Sequence, residues 1–129
     1  YGAASPVPVV HGTFFGDVHL TAGSTLPLAA DHEERALYIV DGIVDISGDR
    51  FENGRLLVFK PGDRITVTAA TDTHFVILGG APMDGPRHIW WNFVSSRQDR
   101  IEQAKADWKA GHFDKVPGDE LEFIPLPEK

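Results

Sequence analysis

Residues 36–46 read ALYIVDGIVDI, and this stretch decides the fold class. Leu37 to Val40 and Ile43 to Ile46 are apolar and rich in β-branched residues, which suit a pleated surface. Between them stands Asp41-Gly42, a dipeptide that readily takes the positive φ of a tight turn. The stretch predicts two strands joined as a hairpin. Short apolar runs broken by turn residues continue on both sides. Upstream, Phe14-Phe15 and Val18-His19-Leu20 precede a turn at Gly23. Downstream, Leu56 to Phe59 ends at Pro61-Gly62-Asp63, followed by Ile65 to Thr68 and by His74 to Leu78, closed at Gly79-Gly80. About seven strands before residue 95 point to an all-β sandwich or barrel. Asp45, Asp49 and Glu52 read as turn chemistry.

One segment breaks the pattern. Over 97–110 the apolar positions Ile101, Ala104 and Trp108 follow helical spacing. Ser96 is the expected N-cap, with Asp99 three residues on, Lys109 in the last turn and Gly111 just beyond. Immediately before it, RHIWWNFVSS (87–96) reads as a strand. Side-chain alternation would then put Ile89, Trp91 and Phe93 in the core and turn Trp90 outward. Residues 1–8 resemble a linker, and the tail 112–129 reads as extended and packed, because it carries Val116, Leu121, Phe123, Ile124 and Leu126.

With 129 residues the chain is expected to form a single domain, 1–129. A net charge of −7 disfavours direct contact with nucleic acid. No apolar run reaches membrane-spanning length. The absence of cysteine removes disulfides and thiolate chemistry, and a cytoplasmic location is expected. No phosphate-binding glycine loop, nucleophile elbow or paired-carboxylate motif is present. The first residue is Tyr1 and not a methionine, so the expectation is either that a leading segment was removed or that the chain is the second part of a longer one.

Residues 78–128, LGGAPMDGPRHIWWNFVSSRQDRIEQAKADWKAGHFDKVPGDELEFIPLPE, resemble the C-terminal half of bacterial pirin-like proteins of the cupin superfamily. The resemblance rests on Gly79-Gly80-Ala81-Pro82, Phe93-Val94-Ser95-Ser96 and Asp107-Trp108-Lys109-Ala110-Gly111-His112-Phe113. It implies a cupin-type jelly-roll β-barrel or sandwich with one C-terminal helix and an extended tail, the second of two barrels. In such proteins a metal, usually iron, sits in the N-terminal barrel. Some members resemble quercetin 2,3-dioxygenase, and others regulate transcription or bind enzymes.

The cupin ligand pattern, anchored on Gly23, Gly42 and Gly62, places its histidines at Ala29, Asp31 and Thr73 and its glutamate at Arg35. The expectation is therefore a barrel with no metal, no cofactor and no catalytic residue, acting in interaction or support. Arg35 is expected to pair with Asp31 or Glu34. The alternatives are a metal-dependent dioxygenase, with iron or another divalent metal on a fallback pair His32 and His74, and metal-free small-molecule binding. Trp90, Trp108, Phe123 and Ile124 are the interface candidates, either for self-association as a homodimer or for an N-terminal cupin barrel.

Overall fold

A computed structural model describes Gly2 and residues 4–127. The chain divides into two compact units, Tyr1–Pro82 and Met83–Lys129. The first holds eight strands: β1 (Thr13–Leu20), β2 (Thr25–Leu28), β3 (Glu34–Asp41), β4 (Ile43–Ile46), β5 (Asp49–Glu52), β6 (Leu56–Phe59), β7 (Ile65–Ala69) and β8 (Thr73–Gly80). They form two antiparallel sheets, in the orders β1-β8-β3-β6 and β2-β7-β4-β5. This is the expected jelly-roll sandwich. Leu37, Ile39, Phe75 and Ile77 from one sheet meet Leu28, Val44, Ile46 and Val67 from the other in a single core. Each fully buried side chain of this kind contributes about 1.5–3 kcal/mol relative to exposure.

The hairpin expected at Asp41-Gly42 does not form. β3 and β4 belong to different sheets, and Gly42 carries the chain from one to the other. It does so at φ 84, where a Cβ would overlap the Asp72 carbonyl and Thr73 Oγ1. The Asp-Gly signal reports a positive φ and close backbone approach, which a crossing needs as much as a hairpin does. The two-residue hairpin lies one strand later, between β4 and β5. There Ser47 and Gly48 both have positive φ, as a type I′ turn requires, and Asp45 Oδ1 accepts the Gly48 N–H at 2.9 Å. The sequence reading missed β2 and β5, both short edge strands with little alternation to reveal them. Asp49 and Glu52, read as turn residues, lie in β5.

In the second unit, β9 (His88–Trp90) and β10 (Phe93–Ser95) pair as a hairpin that precedes α1 (Gln98–Ala110). The turn is Trp91-Asn92, with Trp91 at φ 51, a strained setting for a bulky residue. The expected parity through 87–96 therefore fails: the run is two strands, and the residues on either side of the turn share a face. Ile89 is exposed and Trp91 is 39% exposed, so neither is core. Trp90 instead stacks on its cross-strand partner Phe93 (6.2 Å), beneath the Lys105 ammonium. Trp91 meets Trp108 edge-on at 5.1 Å, and this contact helps hold the strained turn.

The helix also starts differently. Its N-cap is Arg97, not Ser96; no side chain caps it, and the Arg97 guanidinium instead grips Asp99. Its end is as expected: Gly111 is left-handed, and the Gly111 and His112 N–H groups donate to the Trp108 and Asp107 carbonyls. The tail is extended but not packed. From 112 to 127 only Leu126 is partly covered, and an isolated Val116–Asp119 bridge is the one backbone pairing assigned among the described residues there. Pro117, Pro125 and Pro127 lack the N–H donors that a paired strand needs. The Trp108 indole N–H donates to the Ile124 carbonyl at 2.9 Å and tethers the tail at that point. Among the described residues no helix is long and apolar enough to cross a membrane.

Candidate functional site

The four positions of the cupin ligand pattern do not converge. Ala29, Asp31 and Arg35 lie together at one end of the first unit, where Arg35 is level with Gly79. Thr73 lies at the other end of β8, beside Asp41. Ala29 and Asp31 are exposed in the connection from β2 to β3. Arg35 points inward from β3 and is 2% exposed, and Thr73 points inward from the start of β8 and is 5% exposed. Strand alternation dictates this, because Arg35 shares a face with the core residues Leu37 and Ile39. Across the inner wall Arg35 lies level with Phe59 on β6 and with Gly79 and Phe14 beyond it.

The expected ion pair of Arg35 with Asp31 or Glu34 does not form. Nη2 donates to the carbonyls of Asp63 (2.8 Å) and Lys60 (3.1 Å), and Nη1 to that of Ala29 (3.4 Å). Nε is buried without a partner. Burying a guanidinium without a counter-charge costs several kcal/mol, offset here by backbone dipoles. Thr73 Oγ1 is committed to the Asp41 carbonyl. These residues do not fit a metal: the two inward side chains stand at opposite ends of the sheet, and the one beside Ala29 and Asp31 is a fixed positive charge that repels a dication at close range.

Beside Arg35 lies a cavity of about 340 Å³, with Phe14, Leu28 and Ile77 as apolar walls and Ala29, Asp31 and His32 also lining it. His32 stacks on Phe14 at 4.9 Å. The volume falls in the range of small-molecule sites.

On the opposite side of the same sheet is a second cluster. His19 and His74 face each other across β1 and β8, their rings stacked at 4.0 Å. Asp17, two residues before His19 and hence on the same face, accepts from His74 Nε2 at 2.6 Å and lies 3.5 Å from His19 Nε2. One ligand atom from each of the three lies within 4.8 Å of the others. The hydrogen bond to His74 holds the exposed Asp17 carboxyl below its usual value, with the charges of His74 and His19 adding to the effect.

The fallback pair is thus split: His74 joins Asp17 and His19 outside, while His32 lines the cavity. β8 keeps the register that turns Thr73 in and His74 out. Asp17-x-His19 was legible as a same-face pair, but the third member depends on which strand lies alongside, and no local signal in the sequence gives that.

Much of the rest of this outer face is apolar, with Thr13 and Glu34 at its far end. Phe15, Leu78, Ala36 and Val58 form one row across the sheet, and Val76, Tyr38 and Leu56 continue the next. Phe15 is 72% and Val58 74% exposed. Of the sequence-derived interface candidates, Trp90 and Trp108 are half-buried among the aromatic side chains of the second unit, whereas Phe123 and Ile124 are exposed.

Comparison with known proteins adds a consistent set of likenesses. Residues 15–114 match the Pirin C-terminal cupin domain family. A pirin-like protein of Caulobacter vibrioides is 47% identical over 128 residues, covering 99% of this chain and 44% of that protein. A Pseudomonas aeruginosa protein provisionally named quercetin 2,3-dioxygenase is 27% identical, with 99% and 43% covered. Among solved structures, a quercetin 2,3-dioxygenase from Acinetobacter baumannii superposes with a TM-score of 0.82 at 22% identity, over 90% of this chain and 42% of that one. The chain spans less than half the length of these relatives.

Proposed function

The chain belongs to the Pirin C-terminal cupin domain family, and on that premise we propose that it is a non-catalytic cupin barrel that supports and docks against a second barrel. The observation that carries this reading is Arg35, a buried guanidinium at the position where the cupin pattern places a carboxylate ligand. Among its described residues a barrel so built gathers no inward donor set for an oxygen-activating metal. Docking is supported by the exposed apolar rows on the β1-β8-β3-β6 sheet and by relatives more than twice this chain's length. The exposed tail residues Phe123 and Ile124 offer further apolar surface to a partner. A cytoplasmic setting, in keeping with the cysteine-free sequence, is part of the reading.

The competing reading is the metal-dependent dioxygenase that the relatives' names suggest. Oxygen uptake with quercetin, in the presence of ferrous iron, separates the two. The docking reading expects no uptake beyond that of iron alone, and saturable turnover by the chain would overturn it.

A second metal reading attaches to the outer face, where Asp17, His19 and His74 offer two imidazoles and a carboxylate. That donor set suits zinc or another divalent first-row metal. Bound there, a metal would sit on an exposed strand surface, on the far side of the sheet from the cavity.

A further inference from the structure

We infer that the cavity beside Arg35 is a binding site for a small organic monocarboxylate with an apolar body. The inference rests on the reading that the barrel interior holds a guanidinium in place of a metal, and it names the ligand class of that interior.

Three features of the cavity point the same way. First, the Arg35 guanidinium is 2% exposed and is matched only by carbonyl oxygens, so the barrel interior carries an uncompensated positive charge. A carboxylate is the group whose charge and geometry best answer a guanidinium. Second, Nε is the one buried side-chain polar atom left without a partner among the described residues, and it belongs to a side chain lining the cavity. Native structures rarely leave a buried donor unpaired without a ligand, water or function to explain it. Third, Phe14, Leu28 and Ile77 form an apolar wall, extended by the His32 ring stacked on Phe14. A small hydrated inorganic anion would gain little from that wall, whereas an aromatic or aliphatic body would bury against it.

The cavity also selects by charge. Asp31 lines it as an exposed carboxylate, and a second negative charge on the ligand would meet it. Glu33 and Glu34, also exposed, precede Arg35 on the same segment. A monoanion satisfies Arg35 with the least repulsion, and a dianion such as phosphate does not.

The test is an NMR titration of the chain with benzoate, following the assigned Arg35 Nε–H resonance, with benzamide and inorganic phosphate in parallel. Benzoate is expected to move that resonance saturably, while equal concentrations of benzamide and phosphate leave it in place. Ala29→Phe fills the cavity from an exposed position and keeps the backbone carbonyl that accepts from Arg35, and it is expected to remove the saturable shift while the rest of the spectrum stays folded. An unmoved Nε–H in benzoate overturns the proposal, as does an equal response to benzamide. An equal response to phosphate overturns the carboxylate class. These failures leave the non-catalytic reading intact, because that reading falls only on metal in the barrel or turnover of quercetin.

Discussion

The two sides of the β1-β8-β3-β6 sheet carry opposite chemistry. Inside, at the metal-ligand positions of the cupin pattern, sit a buried guanidinium and a threonine bonded to backbone. Outside, two stacked histidines and an aspartate stand at one corner of a surface crossed by apolar rows. Among the described residues the enclosed side gathers no group of three metal ligands, and the side that does is open to solvent. The other sheet sharpens the contrast. Its outward positions on β7, β4 and β5 include Thr66, Thr68, Asp45, Arg50 and Glu52, the polar exterior expected of a sandwich face that meets water. The first sheet presents rows of exposed apolar side chains outside as well as core residues inside, as a surface meant to be covered would.

Four changes would break or sharpen this comparison. The largest effect is expected at Arg35. Arg35→Leu strands the carbonyls of Lys60 and Asp63 and should destabilise the chain by about 3–5 kcal/mol in chemical denaturation. A near-neutral result would mean that the guanidinium does not organise the barrel mouth.

On the outer face, Val58→Asp should leave stability within about 0.5 kcal/mol, since the residue is exposed. It should still weaken docking by about 30-fold or more if Val58 lies in the docking core. Calorimetry against the part of the Caulobacter relative outside the matched segment would measure this, with Thr66→Asp on the polar sheet as the silent control. Equal effects of the two substitutions would remove the distinction between the faces. Self-association of the chain, lost in Val58→Asp, would keep the face as an interface but change its occupant.

A smaller effect is expected in zinc affinity. His19→Ala should weaken zinc binding by about tenfold or more, as should His74→Ala, because each removes one of three ligands. His32→Ala should change nothing, since that ring lines the inner cavity.

The smallest effect concerns acid. Asp17 has a lowered pKa in the folded chain, so its pairing contributes stability that is fully present above the usual value of 3.8. That contribution is lost as pH falls through the lowered folded value. Asp17→Asn should therefore narrow the stability difference between neutral pH and the region below 3.8, and an unchanged acid profile would show that the pair contributes nothing measurable.

Much of this was legible in the sequence, for identifiable reasons. The apolar, β-branched runs at 37–40 and 43–46, and the short runs punctuated by turn residues around them, revealed the class of fold, because such segments suit strands buried on one or both faces. Glycine spacing assigned the ligand positions to Ala29, Asp31, Arg35 and Thr73, of which the structure brings the first three to one cavity and leaves Thr73 at the far end of β8. What failed was pairing. Asp41-Gly42 carried a correct backbone signal attached to the wrong connection. Trp90-Trp91 were assigned to one strand because nothing in HIWWNF marks a turn; neither Trp91 nor Asn92 is glycine, and Trp91 takes its positive φ within an aromatic cluster. Asp17, His19 and His74 remained scattered because their meeting depends on β8 lying beside β1, a contact between segments more than fifty residues apart. The unpaired Nε of Arg35 belongs to the same class, for burial of a charge is a tertiary fact.

The central claim is that this barrel's interior does not hold a metal, and metal content after loading with ferrous iron tests it most directly in the chain carrying both His19→Ala and His74→Ala. The account predicts no stoichiometric metal in that variant, whatever the unsubstituted chain retains on its outer face. One iron per chain, surviving removal of both histidines, would place a metal site elsewhere and contradict it.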